Sequence, residues 1–318
     1  MTNRRKFLKN ASLLSVAGAV AANSSVSAAQ NALSSNNANK SFGLQIWSLN
    51  RELAADVPGG LRRIAQMGYS FLELAGYNPQ GRIWQTPMAD FKRMADDVGL
   101  AIVSSHVGQA EGSLHTRGNL QAHLDHWKRA ADHHAAIGVK YLVQPGQPTT
   151  RSVQEVALVG EHYNQIGRVV RESGLTFGFH NHAGEFSRVV PGGTTALPTW
   201  LGRSPWGPPP ENSQIIMDGM LEAFDPSLVT FQLDVYWAVM GLHCPVAYMK
   251  KYPNHTKLLH IKDIGVLGES GIMNFQKIFE TGYEIGVEYF ILELEGVPNQ
   301  FEGVQHCAEY LMNAPFVR

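Results

Sequence analysis

Sulfur is scarce in this chain of 318 residues, whose two cysteines are Cys244 and Cys307. Two cysteines form at most one disulfide, and they cannot by themselves supply the ligands of a sulfur-bound zinc. The sequence therefore excludes a metal centre built from thiolates alone, and it leaves open whether the two cysteines pair.

An excess of charge of one sign is also missing. Lysine and arginine number 26, aspartate and glutamate number 27, and the formal net charge is −1. Binding to nucleic acid or to an anionic membrane needs a positive surface, which this balance does not supply. A glycine-rich cradle for a phosphate is absent as well. We therefore expect a small, nearly neutral partner.

The N-terminal region has no apolar run long enough to span a membrane. Its alanine-rich stretch at 11–22 is too short and too weakly apolar for a stable span. This stretch follows the basic segment NRRKFLK at 3–9 and precedes small residues that suit cleavage near Ala28. These features predict a twin-arginine signal peptide at 1–28 and a flexible Ser/Asn-rich linker at 29–41.

The predicted signal makes the twin-arginine export machinery a partner and places the mature protein in the periplasm or otherwise outside the cytoplasm. Replacing Arg4 and Arg5 together by lysine should retain the protein in the cytoplasm, because the export machinery recognises the arginine pair. Cell fractionation followed by immunoblotting measures the outcome. Unchanged export of this double variant would refute the prediction.

What is present after the linker is a repeat in which a helix-like segment stops at a glycine and an apolar run follows. Glycine suits the left-handed position just past a helix end, so each one predicts a turn from helix to strand. The repeat occurs at five glycines: Gly68, Gly99, Gly138, Gly174 and Gly286. Together with GLQIWSL, FQLDVYW and KLLHIKD, these units give eight strands. The sequence therefore predicts a single α/β domain at 42–318, a (β/α)8 TIM barrel.

The interval after the fifth strand departs from this spacing. Pro191–Glu211 contains PGG and SPWGPPP and shows little periodicity. A Pro/Gly-rich insertion that follows a barrel strand lies on the catalytic face. The pattern leaves open whether it is a lid that contacts substrate or a plain surface excursion.

Four strand-like segments of the second half end in side chains that ligate metals. They supply His180, His182 and Glu185, then Asp234, then His260, and finally Glu293 and Glu295. His180 and His182 share one side of their strand, and His182 is nearer its carboxyl end. Imidazoles and carboxylates together suit manganese, cobalt, iron or zinc. The sequence thus predicts one divalent ion held by four residues: His182, Asp234, His260 and Glu293.

From about Phe42 to the C-terminus the chain resembles the xylose isomerase-like TIM-barrel superfamily, often called sugar phosphate isomerases/epimerases. The resemblance lies in GLQIWSL, FLELAG, SSHVG, FHNHAGEF, LDVYWAVMG, LLHIKD and ELEG. It implies one divalent metal ion (Mn, Co, Fe, Zn or Mg) held at the ends of strands five to eight, commonly by Glu, Asp, His and Glu. The last three correspond to Asp234, His260 and Glu293. At strand five this chain has histidines, so either His182 replaces the missing ligand or Glu185 folds back to the metal.

The resemblance also implies the chemistry. Related enzymes remove a proton beside a ketone, and the resulting enediolate is either reprotonated or expels a β-leaving group. We therefore expect a metal-dependent sugar isomerase or epimerase acting on a keto-sugar. The alternative is a lyase or dehydratase that performs β-elimination on a 3-keto-glycoside or keto-inositol.

Position in the predicted barrel suggests further roles. The candidates for proton transfer or oxyanion stabilisation are Glu185, Glu293, His180 and Lys262, and those for contacting a sugar are His106, Glu73, Trp47 and Trp237. An exported sugar-binding protein and a hydrolase of the endonuclease type are further alternatives, and the charge balance argues against the second. The pattern does not decide whether the chain forms a homo-oligomer.

Overall fold

The structure is a computed structural model that describes residues 40–110, 112, 116–146, 149–202 and 207–318. The predicted signal peptide and nearly all of the predicted linker lie outside these residues and stay predictions. The described residues fall into two compact units. One is Ser41–Tyr310, and the other contains Lys40 and Leu311–Arg318. In the second unit the Lys40 ammonium donates hydrogen bonds to the carbonyls of Met312 and Ala314, at 2.7 and 2.6 Å.

The core of the larger unit is a closed barrel, in which eight parallel strands pair among the described residues. In chain order they are β1 Gly43–Gln45, β2 Phe71–Leu74, β3 Ala101–His106, β4 Tyr141–Pro145, β5 Thr176–His180, β6 Val229–Asp234, β7 Thr256–Ile261 and β8 Tyr289–Leu292. Each strand pairs with its sequence neighbours, and β1 pairs with β8 to close the ring. The predicted (β/α)8 barrel is confirmed.

Helices surround the barrel. They are α1 Asn50–Ala55, α2 Val57–Gln66, α3 Met88–Asp96, α4 Leu120–Ala135, α5 Val153–Glu172, α6 Ile216–Ala223, α7 Val235–Met240, α8 Pro245–Lys251, α9 Phe275–Ile285 and α10 Gln300–Asn313. Among the described residues, no helix has both the length and the apolar character needed to cross a membrane.

The five glycines of the repeat adopt the backbone conformation that the sequence predicts. Their φ angles lie between 76° and 94°. Gly286 illustrates the reason, since it ends α9 at φ 77° and ψ 41° in the left-handed region. A side chain at such a position would strain the backbone, and glycine avoids that cost.

The segment between β5 and α6 is long, as the irregular spacing indicates. It contains a 3₁₀ turn at Gly184–Phe186 and a short antiparallel pair of Arg188–Val189 with Gln214–Ile215. The described part of Pro191–Glu211 forms the loop that this pair closes. The segment therefore leaves the carboxyl end of β5 and returns to the outer layer of helices.

The interior of the barrel changes character along the strands. Early strand positions supply an apolar cluster of Phe71, Val103, Tyr141, Val143, Leu258 and Ile291. Later positions supply buried polar side chains, among them Glu73, His106, His180, Gln232, Asp234 and His260. Parallel strands direct their carboxyl ends to the same side, so these polar groups gather at one end of the barrel.

Candidate active site

Four metal-ligating side chains meet at the carboxyl ends of β5 to β8. One ligand atom from each of His180, Asp234, His260 and Glu293 lies within 4.8 Å of those of the other three. His180 and Asp234 are the last residues of β5 and β6, and Glu293 follows β8 directly. All four side chains are buried. Strand register brings them together, because Gln232 pairs with His180 and Asp234 pairs with His260.

The donors of this cluster suit a divalent cation. Asp234 Oδ1 accepts a hydrogen bond from the backbone N–H of Trp237 at 2.8 Å, whereas Oδ2 is buried and has no hydrogen-bond partner among the described residues. His260 Nδ1 lies 3.4 Å from Glu293 Oε2 and 3.9 Å from Asp234 Oδ2. Two imidazoles and two carboxylates are ligands that manganese, cobalt, iron and zinc accept. A cation here would neutralise the two acids and occupy the unpartnered oxygen.

Electrostatics support this interpretation. Burial raises the pKa of Asp234 to about 7, with the charge of Lys262 opposing the shift and that of Glu293 adding to it. The positive charges of the protein therefore do not fully offset the cost of burying the negative charge of Asp234. A bound cation would offset the remainder.

The residue that β5 contributes to the cluster is His180, whereas the sequence predicts His182. His182 is exposed and lies outside the group of four, with its ring 5.0 Å from the His180 ring and 5.4 Å from that of Trp237. The physical reason is that β5 ends at His180, so strand alternation does not extend to the second histidine. Asn181 is buried instead, and its Oδ1 accepts the backbone N–H of Asp234 at 2.9 Å.

Glu185, the other candidate for strand five, does not fold back to the cluster. Its Oε2 accepts the backbone N–H of His182 at 2.9 Å, and the side chain is buried beside a separate cavity. The 3₁₀ turn at Gly184–Phe186 sets this position.

Glu73 lies at the centre of the barrel and binds histidine. Its Oε1 is 2.5 Å from His260 Nε2 and 3.1 Å from His106 Nε2. Its carboxylate also accepts hydrogen bonds from Gln45, Ser104 and Gln232, at 2.8, 2.6 and 2.7 Å. The side chain is fully buried and is not among the described residues that line the cavity above the cluster, so a contact of Glu73 with a sugar stays a prediction.

The charges within this network are coupled. Burial raises the pKa of Glu73, but the charges of His106 and His260 and hydrogen bonds from His260 and Ser104 outweigh burial and lower that pKa to about 2. Burial lowers the pKa of His260, but Glu73 and Glu293 raise it to about 10. Glu73 and His260 therefore form a buried ion pair.

Hydrogen bonds from below orient both imidazoles of the cluster. Glu73 contacts Nε2 of His260, and Gln232 Oε1 lies 3.2 Å from Nδ1 of His180. Each contact leaves the other ring nitrogen as the candidate metal donor, as is usual for histidines that bind metals. Gln45, Ser104 and Gln232 belong to no motif, and their signal in the sequence is only that each is a polar residue within an apolar strand.

A cavity of about 420 Å³ opens above the cluster. Its described lining is Trp47, Ala75, Gly76, Tyr77, His106, Gly108, Pro145, His180, His182, Glu293 and Glu295. Trp47 and His106 thus lie where sugar-contacting residues are expected, while Trp237 packs against His182 at the edge. Lys262 is buried, and its ammonium donates hydrogen bonds to Glu293 at 3.1 Å and Glu295 at 2.7 Å.

A closed parallel barrel with a polar cluster at the carboxyl ends of its strands is a (β/α)8 barrel. The chain belongs to the xylose isomerase-like TIM barrel family, whose model matches residues 61–313. This finding confirms the resemblance that the motifs indicate.

Two solved structures of a sugar phosphate isomerase/epimerase from Parabacteroides distasonis are similar to this chain. One is 41% identical, with 88% of this chain and 96% of the other covered and a TM-score of 0.79. The second is 42% identical, with 88% and 100% covered and a TM-score of 0.79. A 3-keto-D-glucoside 4-epimerase from E. coli is 15% identical, with 87% and 100% covered and a TM-score of 0.63, which shows the fold alone. No curated protein matches significantly.

Proposed function

We propose that this protein is a divalent-metal-dependent sugar isomerase or epimerase that acts on a keto-sugar. The observation that carries the proposal is the four-residue cluster with its buried and unpartnered Asp234 Oδ2. Two members of the cluster, His180 and Glu293, line the 420 Å³ cavity. The names of the relatives from Parabacteroides distasonis support the same class of reaction.

The metal would be held by His180, Asp234, His260 and Glu293. When bound, a divalent ion in such a site acts as a Lewis acid on a carbonyl oxygen. The remaining tasks fall to the side chains that line the cavity.

Proton transfer is the task that we assign to His182. Its imidazole lines the cavity, lies outside the cluster and is exposed to a bound molecule. Removing a proton from the carbon beside a sugar ketone gives an enediolate, and returning a proton to either carbon or either face gives the isomer or epimer. Trp47, 47% exposed, offers an apolar surface for the C–H face of a sugar ring.

The second candidate reaction is elimination, because the same enediolate can expel a β-leaving group instead of taking up a proton. The observation in its favour is the adjoining cavity beside Glu185, which could hold the departing group. Product analysis by NMR separates the two reactions, since elimination yields an unsaturated sugar and isomerisation does not.

The proposal predicts that metal binding and proton exchange are lost together. In D₂O, the metal-loaded protein should exchange a carbon-bound proton of D-allulose, L-ribulose or a 3-keto-D-glucoside. Asp234→Asn should lose stoichiometric metal and lower exchange by about 100-fold or more, because it weakens a charged ligand. NMR measures the exchange, and elemental analysis measures the metal.

The matched control is Asp97→Asn, a change at an exposed aspartate beyond α3, which should alter neither property. Full exchange by the metal-depleted Asp234→Asn variant would refute the site. Stoichiometric metal without exchange into any of the keto-sugars would instead support a sugar-binding protein.

A further inference from the structure

A glutamine of β6 joins the buried carboxylate of Glu73 to two histidines. Gln232 is fully buried, and its Nε2 donates a hydrogen bond to Glu73 Oε2 at 2.7 Å. Its Oε1 lies 2.8 Å from His106 Nε2 and 3.2 Å from His180 Nδ1. The Gln232 amide therefore contacts Glu73 with its nitrogen and both imidazoles with its oxygen.

The acceptor sites of Glu73 determine which way this amide points. An ionised carboxylate accepts hydrogen bonds and donates none, and it has about four acceptor sites. Four donors of the described chain fill them, with Gln45 and His260 at Oε1 and Ser104 and Gln232 at Oε2. If the Gln232 amide were reversed, its oxygen would face a carboxylate oxygen, and two acceptors repel each other. Gln232 therefore directs Oε1 towards the histidines.

The direction of the amide fixes the tautomer of His106. A neutral imidazole carries hydrogen on one of its two nitrogens, and an amide oxygen accepts hydrogen bonds without donating any. Nε2 of His106 must therefore carry the hydrogen that Gln232 Oε1 accepts, which leaves Nδ1 without one. Of the carboxylates that the structure describes, Glu73 alone lies within ion-pairing distance of His106. Its charge is already offset by the ion pair with His260, so the network favours a neutral His106.

The ring of His106 borders the cavity above the cluster. His106 is 8% exposed and is among the residues that line this cavity. Its hydrogen-bond partners in the described part of the chain, Gln232 and Glu73, both lie at Nε2. The ring also stacks on that of His260, with centroids 5.1 Å apart and an interplanar angle of 19°. Stacking and hydrogen bonding hold the imidazole in place, so Nδ1 is left for a molecule in the cavity.

The polarity of this nitrogen selects the group that it contacts. An imidazole nitrogen without hydrogen accepts a hydrogen bond, and it cannot donate one. A hydroxyl group can donate to it, whereas a ketone oxygen, which is also an acceptor, cannot. A keto-sugar in the cavity would therefore present a hydroxyl, and not its ketone, to His106.

We propose that Nδ1 of His106 accepts a hydrogen bond from a hydroxyl group of the keto-sugar, and that Gln232 is the positioning residue that fixes this tautomer. The identity of the ligand rests on the proposed function. The proposal makes His106 an acceptor and not an acid. Since the same oxygen of Gln232 also contacts Nδ1 of His180, one side chain sets the tautomers of two histidines in the site.

NMR of the protein labelled with ¹⁵N in histidine measures the tautomer directly, because ring nitrogens with and without hydrogen differ widely in chemical shift. Spectra of the zinc-loaded and the metal-free protein are compared, and the signals that disappear in His106→Phe identify His106. We expect hydrogen on Nε2 and none on Nδ1 in both forms. Hydrogen on Nδ1, alone or together with Nε2, overturns the proposal.

Gln232→Met removes the amide while keeping a side chain of similar length. We expect His106 to lose its single tautomer in this variant, with the shifts of both nitrogens moving towards intermediate values. Gln45→Met is the matched control, since Gln45 is also fully buried and bonded to Glu73 but contacts neither His106 nor His180 among the described hydrogen bonds. An unchanged tautomer in Gln232→Met would reduce Gln232 to a structural role. If that variant fails to fold, the wild-type spectrum still decides the tautomer.

The contact with substrate is tested by adding D-allulose, L-ribulose or a 3-keto-D-glucoside to the zinc-loaded protein. The sugar that undergoes deuterium exchange should shift the Nδ1 signal of His106 and leave the hydrogen on Nε2. An exchanging sugar that does not move the Nδ1 signal overturns the hydroxyl contact. If no sugar exchanges, the proposed function fails and the hydroxyl contact falls with it, whereas the role of Gln232 is decided by the spectra without sugar.

Discussion

His180→Gln should release the metal, whereas His182→Gln should retain the metal and lose turnover. The two histidines are two residues apart, yet the structure places only His180 in the cluster with Asp234. Loss of a residue that hydrogen-bonds a metal ligand typically weakens metal affinity by about 10–100-fold, and loss of the ligand itself should weaken it by more. Losing a proton carrier should lower kcat by about 10²–10⁴-fold.

The contacts below the cluster explain this difference. Gln232 lies 3.2 Å from Nδ1 of His180, which fixes the ring with its other nitrogen available to a cation. His182 follows the end of β5, and its ring packs against Trp237 at the side of the cavity. The ring of His180 is therefore fixed by a hydrogen bond, as the ring of a metal ligand usually is, whereas the ring of His182 is exposed in the cavity.

Metal content after dialysis against a weak chelator, together with kcat for deuterium exchange, measures both effects. His306→Gln, at an exposed position on α10, serves as the matched control and should change neither quantity. The reverse pattern, with metal lost from His182→Gln and retained by His180→Gln, would establish His182 as the ligand, as strand alternation alone predicts.

Glu73→Gln should lower both the stability of the metal-free protein and its affinity for metal. Glu73 is fully buried and forms an ion pair with His260, whose Nε2 is 2.5 Å from its carboxylate. Removing one partner of a buried ion pair typically costs about 3–5 kcal/mol, because the other charge remains buried and uncompensated. We expect the free energy of unfolding to fall by about this amount.

Metal affinity should fall by about 10–100-fold in the same variant, since a carboxylate behind a ligating histidine sets its tautomer and orientation. Urea unfolding of the metal-free protein measures the first effect, and competition with a fluorescent chelator under folding conditions measures the second. A purely structural role would change stability and leave metal affinity intact. Glu302→Gln, at an α10 position outside the barrel strands, is the control.

The fold of this chain follows from local patterns. Gly138 and Gly174 mark turns from helix to strand because each needs a positive φ, and that need acts within a few residues. Local signals do not fix every boundary, since Thr86–Pro87 has the sequence of a helix start but forms a short strand, and α3 begins at Met88.

The candidate site was only partly accessible to such reasoning. The sequence indicates Asp234, His260 and Glu293 because each follows an apolar run, and the structure brings their side chains together. Strand alternation favours His182 over His180 only if β5 continues to His182, and the strand ends at His180. A strand end depends on its pairing partners, and the residues of the strand itself do not reveal it.

The sequence by itself determined the barrel, the order of its strands and the types of ligand at their carboxyl ends, because periodicity and glycine turns act over short distances. Only the tertiary structure decided which histidine joins the cluster, that Glu73 contacts His260, and that Glu185 borders a second cavity. The reason is distance along the chain. Glu73 meets Gln232 across 159 residues and His260 across 187, and contacts of that span depend on the register of the closed barrel.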